Sequence, residues 1–165
     1  MKTHLYFLCP TDCLETVLLR KFHQENYFVT SLGNSIHFDV AFMSVINTLI
    51  EKKNIGEITF VLSDSNKMIK DAFTQQRYHG QRGLEKFYWE IAMKKKHKKY
   101  MWSAAPLLLP IISSFLMNRI NELKPKLKCF SKEKLTINAL VYNRKSQLFN
   151  KLDTAALNTC YIGLN

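Results

Sequence analysis

The stretch Ile58-Thr-Phe-Val-Leu62, followed by Ser63-Asp-Ser-Asn66, decides the fold. It is a run of strand formers with apolar side chains falling on both faces. A strand of that kind belongs inside a parallel sheet, covered on both sides by helices. The Ser63–Asn66 turn cluster then feeds a helix through about Gln76.

The neighbouring segments repeat the alternation. Upstream, Leu5-Tyr-Phe-Leu-Cys9 is a buried-strand run ended by Pro10. Asp12 and Glu15 form a capping-box pattern ahead of Leu14, Val17, Leu18 and Phe22, which predicts a helix capped by Asp12. Tyr27 to Leu32 is a second strand, closed by Gly33-Asn34. Asp39 caps a helix carrying Val40, Met43, Ile46, Leu49 and Ile50. Downstream, Gly80 and Gly83 mark a break before a basic helix from about Leu84 to Tyr100. A loop with Pro106 and Pro110 precedes a helix from Ile111 to Leu123, closed by Pro125. Leu135 to Tyr142 is a fourth strand, Asn143 to Ser146 a turn, and Gln147 to Leu152 a strand pairing back. Strands alternating with helices imply right-handed crossovers. The expected fold is α/β: a mostly parallel central sheet with flanking helices and a C-terminal edge hairpin. Residues 1–165 form one domain, with the helical, basic segment 77–128 inserted before the last strands.

The composition agrees. The chain has 165 residues, 47% hydrophobic and 22% charged. A domain of that size buries about 70% of its unfolded surface and needs no staples, which excludes disordered and fibrous classes. The longest apolar stretch, Ala104 to Met117, is broken by prolines and serines and is too short to span a bilayer. Only five apolar-leaning residues precede Cys9, so no secretory leader is expected. Cys9, Cys13, Cys129 and Cys160 then read as free thiols in a reducing cytoplasm.

Ligands of open α/β sheets bind beyond the carboxyl ends of the strands. Three loops fall there, two of them entering helix N-termini that favour anions. They predict a polar, anion-tolerant crevice lined by Cys9, Thr11, Asp12, Cys13, Gly33, Asn34, Ser63, Asp64 and Asn66. Cys9, beside a helix N-terminus, and Asp12 are the candidate catalytic residues.

In element order and spacing, residues 4 to 152 resemble the β-class carbonic anhydrases. Leu5-Tyr-Phe-Leu-Cys9 stands where that family has a strand ending in Cys-x-Asp-x-Arg. Ser31-Leu-Gly-Asn-Ser35 matches its Gly-Asn turn. Ile58 to Lys67 stands at its strand ending in Gly-His-x-x-Cys-Gly. Leu135-Thr-Ile-Asn-Ala-Leu-Val-Tyr-Asn143 matches its late Leu-x-Val-x-Gly-x-Tyr-Asp strand. The resemblance implies a zinc held by two cysteines and a histidine, an assisting Asp–Arg pair, and a homodimer. The departures are specific. Cys9 keeps the first ligand position, but Ser63 replaces the histidine and Asn66 the second cysteine. Thr11 stands at the aspartate position and Cys13 at the arginine position. Zinc needs three or four Cys, His or carboxylate ligands. Without it no bound water is acidified to about pKa 7 for attack on carbon dioxide. The expectation is a catalytically degenerate relative with no cofactor, serving as a binding or regulatory module. The alternative is a carbonic anhydrase whose zinc site is rebuilt from Cys9, Cys13, Asp64 and a histidine. His37 is the histidine best placed for that.

The charge suggests one further class. Lys and Arg number 24 against 13 Asp and Glu, a net charge of +11. The densest run holds Lys94, Lys95, Lys96, Lys98 and Lys99, with Tyr88, Trp89, Tyr100 and Trp102 around it. Arg119 to Lys134 extends the basic face. Lysines interleaved with rings suit single-stranded nucleic acid, and the apolar segment after the run suits anionic lipid. The plainer reading makes the lysines a solvated helix end, and Phe87 and Trp89 core.

Overall fold

A computed structural model describes residues 3–101, 108–127 and 135–152. Strands β1 (Thr3–Leu8), β2 (Asn26–Thr30), β3 (Ile55–Ser63), β4 (Thr136–Asn143) and β5 (Leu148–Lys151) form one sheet in the order β2-β1-β3-β4-β5. The first four are parallel, and β5 runs antiparallel on β4 as the edge of a hairpin. Helices α1 (Glu15–Lys21), α2 (Val40–Lys53), α3 (Lys67–Thr74), α4 (Glu85–Met101) and α5 (Leu108–Leu123) complete the fold. This is the expected mostly parallel α/β architecture.

The central strands are buried on both faces, as their sequence requires. On one face Leu5 pairs with Ile58 and Ile58 with Ile137; Phe7 pairs with Phe60 and Phe60 with Ala139. The Phe7 and Phe60 rings stack at 4.7 Å. Side chains of α2 to α5 cover this face, among them Ile46, Ile69, Ile91 and Phe115. On the other face Tyr6, Leu8, Val61 and Tyr142 pack with Leu14 and Leu18 of the α1 segment. Seven residues of α1 cannot cover a whole sheet face. A β-bulge at the start of β3 matters here: Thr3 pairs with Ile55 but His4 with Glu57. The extra residue turns Ile55 to the helix-covered face and Glu57 to the α1 face.

Several local expectations need correction. Asp12 does not cap α1. A 3₁₀ turn, Pro10–Asp12, intervenes, and α1 begins at Glu15 behind Leu14, which makes no capping bond. The cap read at Asp39 does form, accepting from Phe42 N–H, and the Ser63–Asn66 turn supplies a further one, Asn66 accepting from Ile69 N–H. Pro110 lies inside the first turn of α5, where the N–H it lacks would have no helical partner anyway. Phe87 is buried, but Trp89 is 64% exposed. Two positions along a helix is more than half a turn, so the two rings cannot face the same side. Cys129, Cys160, Trp102 and Pro106 lie outside the described residues, as do the side chains of Lys98, Lys99 and Tyr100. Among the described residues no helix is long and apolar enough to cross a membrane.

Candidate functional site

The carboxyl ends of β1 and β3 bring the three expected loops to one corner. Cys9 follows β1 and is buried. Its Sγ accepts the Gly33 N–H at 3.0 Å and shares a 3.0 Å hydrogen bond with the Thr11 hydroxyl. Gly33 is there for a steric reason. Its φ is +62°, and a Cβ would stand 2.7 Å from two ring carbons of Phe87. Asn34, also left-handed, is fully buried and donates its amide to Val61 O at 3.0 Å. Its Oδ1 has no hydrogen-bond partner among the described residues.

Asp12 is the hub of the corner. The 3₁₀ turn folds its carboxylate under the loop, leaving it 1% exposed. Oδ2 accepts the Ser63 N–H and the Asn66 side-chain amide, each at 2.9 Å. Asn66 thereby uses both ends of its amide, since its Oδ1 caps α3 on Ile69 N–H at 2.9 Å. Arg144, on the β4–β5 turn, donates Nη2 to the Asp12 carbonyl at 2.6 Å and Nε to Ser63 Oγ at 3.1 Å. Its guanidinium also stands 3.9 Å from the Asp12 carboxylate. Burial pushes the Asp12 carboxyl above its ordinary value; the Ser63 and Asn66 hydrogen bonds and the Arg144 charge pull it back. The Asp64 charge adds to the upward push.

Of the expected lining residues, Cys9, Thr11 and Gly33 thus form one hydrogen-bonded set, and Asp12, Ser63, Asp64 and Asn66 another. Cys13 joins neither: it is exposed, with Sγ directed to Pro10 O at 3.5 Å. Most polar groups of the corner are bonded to one another, while Arg144 and Cys13 stay exposed. The residue that sequence reasoning missed is Arg144. Its signal was available, since it directly follows the carboxyl end of a strand beside β3.

Two other expectations change. His37 is exposed and borders a small cavity with Lys86, Glu90 and Arg119, and it joins no group of three metal-ligating side chains among the described residues. Lys94 and Lys95 are not a free basic surface. Lys94 Nζ donates to Ser114 Oγ at 3.0 Å and lies 3.7 Å from Glu90, while Lys95 Nζ donates to Phe73 O at 2.7 Å above the Phe73 ring. Lys96 is exposed.

The five-stranded sheet, ordered 2-1-3-4-5 with an antiparallel last strand, matches solved β-carbonic anhydrases in fold. Tetrameric β-carbonic anhydrases from the filamentous ascomycete Sordaria macrospora superpose with a TM-score of 0.75 at 13% identity, over 92% of this chain and 80% of theirs. The β-carbonic anhydrase CafA of Aspergillus fumigatus superposes at 0.71 with 14% identity, over 90% of this chain and 74% of its own. CcaA, another β-carbonic anhydrase, gives 0.70 at 8% identity, over 94% and 82%. The likeness is one of fold. No family model matches the chain, and no curated protein does.

The resemblance to those enzymes implies a zinc ion, and the described residues at the implied ligand positions do not offer a zinc ligand set. Among the described residues no three His, Cys, Asp or Glu side chains converge to hold a metal. At the second and third ligand positions stand a hydroxyl and an amide, both already bonded. The guanidinium 3.1 Å from Ser63 Oγ would oppose a second cation.

Proposed function

We propose that this chain is a β-carbonic-anhydrase-fold protein that does not hydrate carbon dioxide and acts as a binding or regulatory module. The observation that carries the reading is Asn66. At a position where the resemblance requires a zinc-ligating cysteine, it ties the buried Asp12 carboxylate to the first turn of α3. Freeing it for a metal would strip a buried carboxylate oxygen of one of its two donors and a helix N-terminus of its cap. The corner then serves as a polar lock between the ends of β1, β3 and β4. A small anion would meet this corner at the exposed Arg144, against the opposing charges of Asp12 and Asp64. A homodimer belongs to the same proposal, and sedimentation velocity tests it.

The deciding experiment measures zinc per subunit by elemental analysis on untagged protein purified without chelators, with a carbon dioxide hydration assay alongside. The expected result is zinc far below one per chain and hydration at the buffer rate. About one zinc per chain, lost together with hydration activity in Cys9→Ser, would overturn the proposal.

A further inference from the structure

A cleft of about 140 Å³ opens on the sheet face that α1 leaves bare. It lies at the opposite end of the strands from the Asp12 corner: His4 begins β1, Glu57 begins β3 behind the bulge, and Asn138 begins β4. Phe22 and Leu140 form an apolar wall, and Lys151 comes in from the edge strand.

The floor is a ready-made hydrogen-bond array. Gln24 Nε2 lies 2.5 Å from His4 Nδ1. With the amide as donor, the ring proton is on Nε2, which donates to Thr59 Oγ1 at 2.8 Å. Burial favours the neutral ring. In that tautomer the Thr59 hydroxyl keeps its own proton, and it makes no second hydrogen bond among the described residues. Glu57 Oε1 accepts from Asn138 Nδ2 at 2.6 Å and lies 3.7 Å from His4 Nε2. Its Oε2 has no partner among the described residues, and the carboxylate is held in place.

Two opposite charges line this cleft without meeting. Glu57 is held by Asn138, and the Lys151 ammonium makes no ion pair or hydrogen bond among the described residues. From strand rise and spacing, their Cα atoms stand about 16 Å apart, since Glu57 is level with Thr136 and Lys151 with Leu140. Long side chains reaching in from both ends leave a gap for a molecule carrying both charges.

We propose that this cleft binds a small zwitterion with a short apolar side chain, an α-amino acid of the size of valine. Its ammonium sits on Glu57, its carboxylate on Lys151 and the Thr59 hydroxyl, and its side chain on Phe22 and Leu140. The volume agrees: it has room for about five waters or one molecule of that bulk. The site gives the binding module an occupant, yet it does not depend on whether the Asp12 corner holds metal.

The test titrates L-valine into the full chain by isothermal calorimetry. Saturable one-site binding is expected. Glu57→Gln and Lys151→Met should each weaken it by about tenfold or more, because each removes a charge-assisted hydrogen bond. Both residues are partly or fully exposed, and the thermal midpoint of each variant verifies its fold. Lys52→Gln, an equal charge change on the exposed side of α2, should leave the affinity unaltered. Isobutyrate and isobutylamine, each carrying one charge, should bind about tenfold more weakly than valine. No saturable valine binding, affinity indifferent to both substitutions, or equal binding of a singly charged analogue would overturn the proposal. The zinc measurement is untouched by any of these results, so the two readings fail separately.

Discussion

Replacing Asp12 separates its shape from its charge. In Asp12→Ala the Ser63 N–H and the Asn66 amide both lose their acceptor in a site that is 1% exposed. An orphaned buried donor costs about 1–3 kcal/mol, so the pair costs about 2–6 kcal/mol. Water entering beside the exposed Arg144 sets the lower end. In Asp12→Asn the side-chain oxygen can still accept both donors, and no charge has to be buried. Its cost at pH 7 should stay within about 1 kcal/mol. Urea unfolding followed by circular dichroism reads both values. In a thermal melt Asp12→Ala should fall by at least about 4 °C. The pH dependence gives a second, signed test. Burial raises the folded-state pKa of Asp12 above its unfolded value. The folded protein therefore takes up a proton that the unfolded chain has released, and stability from this group is full at low pH. It is lost as pH rises through the folded pKa. Wild type should thus lose stability relative to Asp12→Asn as pH rises out of the ordinary carboxylate range. The reasoning is refuted if Asp12→Ala unfolds within 1 kcal/mol of wild type, or if Asp12→Asn is as damaging as Asp12→Ala.

Gly33→Ala should cost about 2–4 kcal/mol, from a left-handed alanine and a Cβ pressed on the Phe87 ring. Adding Phe87→Leu should recover only the steric part; full recovery would mean the backbone angle carries no strain. Glu90→Ala strips a 2.7 Å partner from Arg119, which is 3% exposed, and should cost about 3 kcal/mol or more, with Glu122 as the remaining partner. A urea midpoint unchanged by that substitution would show that Glu122 alone suffices.

The fold was legible because its strongest signals were local. Ile58–Leu62 could only be a strand covered on both faces, and Asp39 and Asn66 sit where helices begin. What escaped reading was pairing across distance. Asp12 looked like a helix cap because Glu15 lies three residues on, and only Ser63 and Asn66, arriving from β3, explain why it is buried instead. Arg144 looked like a turn residue for the same reason. Lys94 and Lys95 looked solvated until α5 and the end of α3 supplied Ser114 and the Phe73 carbonyl. The His4–Glu57 cleft depends on a bulge that shifts strand register, and no periodicity in either segment announces it. The departures of Ser63 and Asn66 from the resembled motif were visible in the sequence. Their places in a hydrogen-bonded lock were not, because those need the geometry.

The Arg144 tie to the Asp12 carbonyl joins residues 132 positions apart. The entropy of closing so long a loop grows only slowly with its length, so the finished tie is thermodynamically cheap. Its difficulty is one of timing. Domains emerge from the ribosome N-terminus first, and Asp12 is made long before the guanidinium that seals its loop. Through that interval β3 also waits for β4, with one apolar edge open. Synthesis therefore exposes an unfinished sheet until nearly the last strand is out. Until β4 arrives, β3 carries the kind of unpaired strand edge on which other chains can pair.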